Sequence, residues 1–299
     1  MPSDCQTILT EATETLKALI NHVVDVVDVK KPDSIQYAIN LSKVISKLSP
    51  LIGNMIEFHV VDVLNKKLES DGLSEAGKWL RQDPGFPDTV FVGEIEPRPG
   101  IEVKTWFPLA TEITARFKDS QSHFLENQTN VCVVAWLPEH IFYGRPKIIN
   151  VFVDTASSIA KARDEHYHNP PDYIVFEPRD TTARTANLQQ TNTNGYKFQG
   201  SSTELIEAKT LVDTWGIEGK AYSCSSECQS RLQDLHSRFP YRLDTNFAKM
   251  DRIEHTNLET FKDAVLDTAI YGKTVSKWSK VIQKSDERAF QELLARTGA

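Results

Sequence analysis

Residues 130–137, NVCVVAWL, form an unbroken apolar run that Pro138 closes. The run has the length of a strand and is too short for most helices. A strand with one solvated face alternates apolar and polar residues. A strand apolar at successive positions is covered on both faces. Residues 147–154, KIINVFVD, read as a second strand. Residues 155–168 follow with Ala156, Ile159, Ala160 and Ala162 at helical spacing, up to Pro170 and Pro171. Residues 172–177, DYIVFE, read as a further strand. A doubly covered strand among segments of both kinds predicts an α/β fold, with a central mixed sheet flanked by helices.

Upstream lies residues 87–118, PDTVFVGEIEPRPGIEVKTWFPLATEITARFK. Residues 89–95 read as one strand and 101–106 as another. Pro97, Arg98, Pro99 and Gly100 lie between them: the prolines remove donors and fix φ, and the glycine permits a sharp turn. Alternation in the second strand puts Glu102 and Lys104 on one face, with Ile101, Val103 and Thr105 on the other. Asp88 stands at the mouth of the first strand, so a hairpin can gather Asp88, Glu102 and Lys104. A plain hairpin registry, however, sets Glu94 or Glu96 nearer to Glu102 than Asp88 is. Glu94 is therefore the substitute for Asp88 unless a bend or bulge re-aims the strand.

Two carboxylates on a rigid sheet suit a hard divalent cation, and Mg2+ is the natural candidate. A neighbouring ammonium can orient water and stabilise charge on a phosphate. Pro87-Asp88 followed by Glu102-Val103-Lys104 resembles the motif of the PD-(D/E)xK nuclease superfamily, in particular its type II restriction endonucleases. The likeness covers roughly residues 50–178. It implies a restriction-endonuclease-like core, with Asp88 and Glu102 binding Mg2+ and Lys104 assisting the attacking water. It implies hydrolysis of phosphodiester bonds in double-stranded DNA, and a homodimer matched to a two-fold symmetric site. Two other readings stay open. One is a repair or structure-specific nuclease; the other is a catalytically silent DNA-binding or scaffold protein.

A helix predicted over residues 109–120 puts Glu112, Arg116 and Asp119 on one face. Its first turn follows the strand that carries Glu102 and Lys104, which offers Glu112 as a catalytic residue, either behind the ligands or as an extra metal ligand. Arg98, Arg116 and Lys118 are candidate phosphate contacts. Residues 179–203 change character and are rich in Thr, Asn and Gln. Such a stretch suits disorder. It equally suits base reading, because Asn and Gln pair with adenine and Arg or Lys with guanine. Arg179, Arg184, Gln189, Gln190, Asn192, Asn194 and Lys197 are the candidates.

Helices are predicted over residues 4–30, from a cap at Asp33 or Ser34 to an interruption at Pro50, over 51–67 and over 73–81. The segment VVDVVDV at 23–29 also suits a strand, because it is β-branched. Glu57 reads as a charge on a solvated helix face, although the resemblance also offers it as an acid delivered by the helix before the core. His59 reads as structural and Cys132 as a small buried hydrophobe. Residues 258–294 read as mainly helical, with Lys273, Lys277, Lys280 and Lys284 at near-helical spacing. Three regions follow: 1–70, helical, with a possible dimer surface; 71–178, the core; and 179–299, the polar segment and a helical C-terminal region suited to DNA recognition.

The net charge is −7, from 34 Lys and Arg against 41 Asp and Glu. Non-specific DNA binding neutralises phosphates, so a nuclease of this composition must gather its basic groups in one place. No stretch has the ~20 apolar residues of a membrane span. The start of the chain lacks a basic segment before an apolar run, so the expected location is cytoplasmic. Without a P-loop or a glycine-rich dinucleotide fingerprint, no nucleotide cofactor is expected.

Overall fold

A computed structural model describes residues 4–82, 85–110, 113, 115–117, 125–168, 174–176, 196–198, 200–217, 226–243 and 249–297. The chain divides into two compact units. The first comprises residues 1–115, 124–157 and 255–299, and the second 116–123 and 158–254. These bounds differ from a division at 70 and 178: the N-terminal helices and the C-terminal region join the central sheet in one unit.

That sheet has five strands in the order β1-β2-β3-β4-β5. They are β1 Gly77–Arg81, β2 Thr89–Gly93, β3 Gly100–Trp106, β4 Thr129–Pro138 and β5 Pro146–Thr155. Only β3 and β4 run parallel; the other neighbours are antiparallel. The fold of this unit is thus α/β with a mixed central sheet, as the apolar run requires. The run is β4, and Val131 to Trp136 are fully buried. Cys132 packs there as a hydrophobe, and burial pushes its thiol up to about 12.

Helices α1 (Cys5–Lys17) and α3 (Ser49–Ser70) pack on each other and on the sheet. Asp4 caps α1 by accepting from the Thr7 amide at 2.8 Å, and Ile8, Leu9, Ala12 and Leu16 form its buried stripe. The helix stops well short of residue 30. Asn21 adopts φ 71°, a left-handed conformation that asparagine tolerates. Beyond it the chain bonds along β5: the Asn21 amide reaches Ile148 O and the Val24 amide reaches Pro146 O, both at 2.8 Å. The β-branched segment thus forms neither helix nor full strand; isolated bridges at Val23 and Val29 cover part of a sheet edge that would otherwise expose unpaired backbone groups.

Ser34 caps α2 (Ile35–Val44) through the Tyr37 amide at 3.2 Å. Pro50 lies in the first turn of α3, where its missing N–H costs nothing. It opens this helix rather than interrupting the one before.

Where a helix is predicted over 73–81, residues 74–76 form a turn and Gly77–Arg81 the edge strand β1. All five of its residues pair with β2. On its other side Asn65 of α3 donates to Trp79 O at 2.9 Å and accepts from Trp79 N at 2.8 Å. The helix predicted over 109–120 does not form at its described residues. Arg116 instead makes an antiparallel bridge with Lys249 in the second unit. Thr111, Ile113 and Thr114 are β-branched and poor helix formers there.

The opposite face of the sheet packs against α7 (Thr256–Asp267), whose Phe261 meets Trp106 and Phe152 with ring centroids 5.9 and 5.7 Å apart. A short β9–β10 pair (Ala269–Ile270, Lys273–Thr274) leads to α8 (Val275–Lys284) and α9 (Glu287–Arg296), and both helices pack on α2.

The second unit holds a separate three-stranded sheet: β6 (Ile174–Phe176), β7 (Tyr196–Phe198) and β8 (Tyr241–Leu243). Within DYIVFE, Ile174–Phe176 form a strand, which pairs with β7 rather than extending the central sheet. The remaining helices are α4 (Ala156–His168), α5 (Ser202–Asp213) and α6 (Ser226–Arg238). Among the described residues no helix is long and apolar enough to cross a membrane.

Candidate active site

The two prolines between β2 and β3 decide where the acidic residues meet. β2 pairs with β3 only at Thr89 opposite Ile101 and Val90 opposite Gly100, with one further bond from Phe91 N to Pro99 O at 2.9 Å. Pro97 and Pro99 have no N–H to continue the ladder, so the chain leaves it in a wide loop. Counting outward from Thr89 and Ile101, Asp88 falls opposite Glu102. The plain hairpin registry is thereby replaced, without a bulge in β2.

The carboxylates complete the ladder where its backbone partners end. Asp88 Oδ2 accepts from Val103 N at 2.8 Å, and Glu102 Oε2 accepts from Asp88 N at 3.1 Å. Gln82 grips the same turn from β1: its amide reaches Asp88 O at 2.7 Å and its side chain reaches Pro87 O at 2.9 Å. Gly100 is required beneath this turn, because a Cβ there would stand 2.4 Å from Pro87 Cγ.

Lys104 Nζ ties the two acids together. It donates to Glu102 Oε1, to Asp88 Oδ2 at 3.4 Å and to the Val103 carbonyl at 3.2 Å. Its side chain is 20% exposed, against 21% for Asp88 and 10% for Glu102. Burial raises the Glu102 carboxyl to about 7; Lys104 opposes this and the Asp88 charge adds to it. Burial pulls the Lys104 ammonium down, but Glu102 and Asp88 outweigh it and the net direction is up. The ammonium thus stays charged at neutral pH beside a pair of crowded acids.

Glu57 of α3 belongs to this surround and not to a solvated face. Arg81 at the end of β1 donates to Glu57 Oε2 at 3.2 Å and stacks 4.6 Å above the Phe58 ring. Burial raises the Glu57 carboxyl, as does Asp88, while Arg81 and Lys104 lower it. The sequence favoured the solvated face and left this placement to the resemblance, because it depends on α3 lying across β1 and β3. Gly53 permits that approach: a Cβ there would stand 2.8 Å from Thr105 Oγ1. Ser49, Asn54 and Glu57 of α3, with Lys104 and Thr105, line a cleft of ≈ 350 Å³. A larger cavity of ≈ 740 Å³ between α1 and α3 touches none of the candidate residues.

The other candidates lie elsewhere. Glu94 is exposed beyond the end of β2, at the opposite end of the strand from Asp88. Arg98 is exposed in the wide loop and pairs with Glu96 at 3.2 Å. Arg116 sits in its bridge to Lys249. Lys197 lies in β7, with its backbone opposite Val175 and Arg242. Glu112, Lys118, Arg179, Arg184, Gln189, Gln190, Asn192 and Asn194 lie outside the described residues.

Among the described residues no three His, Cys, Asp or Glu side chains gather closely enough to form a metal cage. Mg2+ keeps several waters and commonly takes only one or two protein carboxylates. Two oxygen donors crowded beside a single ammonium fit that requirement. No protein-family model, curated protein or solved structure matches the chain.

Proposed function

We propose that the chain is a Mg2+-dependent DNA endonuclease of the PD-(D/E)xK kind, acting as a type II site-specific enzyme. The observation that carries this reading is the meeting of Asp88 and Glu102 across the β2–β3 junction, with the Lys104 ammonium on both. Asp88 and Glu102 would hold the ion. When bound, Mg2+ would polarise a phosphoryl oxygen and lower the pKa of its water.

The protein supplies position and charge. The Val103 and Asp88 amides fix the two carboxylates against the sheet. Lys104 is charged and within reach of both acids, so it can orient a water and stabilise negative charge on the phosphate. Glu57, held by Arg81, adds a third carboxyl beside the cleft. Its raised pKa suits a group that exchanges a proton with solvent water. A restriction enzyme cuts both strands, which calls for a homodimer on a two-fold site.

The test is incubation of plasmid and phage DNA with Mg2+, with EDTA and Lys104→Ala as controls. Discrete fragments lost in both controls support the reading. Cleavage confined to ends, junctions or damaged sites would replace restriction with a structure-specific nuclease. Intact DNA from folded protein across a broad substrate set would overturn the enzyme reading.

A further inference from the structure

Helix α8 carries Lys277, Lys280 and Lys284 on its exposed side, while Val275, Trp278, Val281 and Ile282 are buried. No acidic residue occurs anywhere in α8. None of the three lysines forms an ion pair with a described residue. Lysines elsewhere do: Lys66 with Asp62, Lys67 with Asp71, Lys262 with Glu259 and Lys273 with Glu292.

α2 packs against α8 and continues the same character. Lys43 and Lys47 are exposed at its end, and residues 34–56 contain no Asp or Glu. In a chain of net charge −7, two packed acid-free segments whose lysines pair with no acid among the described residues are a local reversal of sign. Such a patch attracts a polyanion whatever the total charge.

Both segments connect to elements that flank the candidate site. α2 runs through a short turn of helix into α3, whose Ser49 and Pro50 line the cleft that also holds Lys104. On α8, Ser279 Oγ donates to Leu109 O at 3.4 Å, and Leu109 follows β3 closely in sequence. From Lys277 to Lys284 the helix rises about 10 Å, which matches about three base pairs of duplex axis at 3.4 Å each.

We propose that Lys277, Lys280 and Lys284, extended by Lys43 and Lys47, form a track for the phosphate backbone of duplex DNA beside the Asp88–Glu102–Lys104 site. This rests on the nuclease reading for its purpose, although it can be tested apart from it. The track contacts phosphates and so carries no base specificity. It gathers the basic groups that the acidic composition makes necessary.

The experiment measures binding of a mixed-sequence duplex to the full chain in EDTA, across a salt series, by fluorescence anisotropy. The triple variant K277Q/K280Q/K284Q is compared with wild type and with K66Q/K67Q, and matched melting curves confirm folding. Loss of three phosphate contacts flattens the slope of log K against log salt by about 2.7. Binding at low salt should fall at least about tenfold, with K66Q/K67Q unchanged. Equal slopes and affinities for the triple variant and wild type would overturn the track. So would unchanged duplex binding with lost binding to phosphatidylserine vesicles, which would assign the patch to a membrane surface. Lysine-dependent binding without Mg2+-dependent cleavage would leave the track standing and remove the nuclease reading. Lys104-dependent cleavage that ignores the three lysines would do the reverse.

Discussion

Replacing Glu102 by glutamine should change how stability depends on pH, in a direction fixed by its surroundings. The carboxyl lies at about 7 in the fold, chiefly through burial, against an ordinary 4.5. Between those values the unfolded chain has released this proton and the folded chain keeps it. Folding then takes up a proton, so stability falls as pH rises through the window. Below the window both states are protonated, and above it both are ionised and the loss is complete. The gap from 4.5 to about 7 is worth on the order of 3 kcal/mol. Lys104 stays charged throughout this range and adds no slope. Urea unfolding of wild type and Glu102→Gln in EDTA, from pH 4 to 8.5, isolates the effect as a difference between two curves. The wild type should lose about 3 kcal/mol relative to the variant as pH rises, with equal m-values. At pH 8, Mg2+ at one hundred times its Kd should restore about 2.7 kcal/mol to the wild type and little to the variant. Parallel curves in EDTA would refute the claim that burial dominates at Glu102.

Lys104→Ala should lower Mg2+-dependent cleavage by about 10²–10³-fold, the usual effect of losing one preorganised charge or donor, while leaving duplex binding in EDTA intact; loss of binding instead would assign Lys104 to substrate contact alone. Gly100→Ala forces Pro87 aside, since its Cβ meets Pro87 Cγ at 2.4 Å. It should cost about 1–3 kcal/mol in urea unfolding and reduce cleavage through Asp88, so full activity would show the turn to be dispensable. Arg81→Ala removes the hydrogen bond that lowers Glu57, and the Glu57 carboxyl should titrate higher by NMR; an unmoved titration would break the link.

Legibility followed the range of the interactions. β4 was plain because burial on both faces writes itself into consecutive residues. Asp88, Glu102 and Lys104 were nameable because alternation and one dipeptide placed them on two neighbouring strands. The choice between Asp88 and Glu94 was open, because register depends on where Pro97 and Pro99 end the ladder. β1 looked helical because Leu73, Ala76 and Leu80 recur at helical spacing; pairing with β2 and the Asn65 clamp overrode that pattern. At the described residues of 109–120 the helix was misread for a related reason, since the shared spacing of Glu112, Arg116 and Asp119 outweighed the β-branched residues among them. For Glu57 the solvated face was the favoured reading and the resemblance offered the acid, because nothing near it in sequence announces Arg81 or Asp88 as neighbours.

The packing of α2 against α8 and α9 has a consequence for synthesis. A ribosome delivers α2 roughly 240 residues before its covering helices, an interval of about 12–50 s at 5–20 residues per second. Phe152 of β5 likewise waits for Phe261 of α7, and Tyr143 for Thr297 near the end of the chain. Until then Ala38, Ile39 and Ile45, all buried in the finished molecule, lack the C-terminal helices that complete their surroundings. A nascent chain stalled at residue 254 would therefore present apolar surface to chaperones, and emergence of residues 255–297 would be the step that covers it.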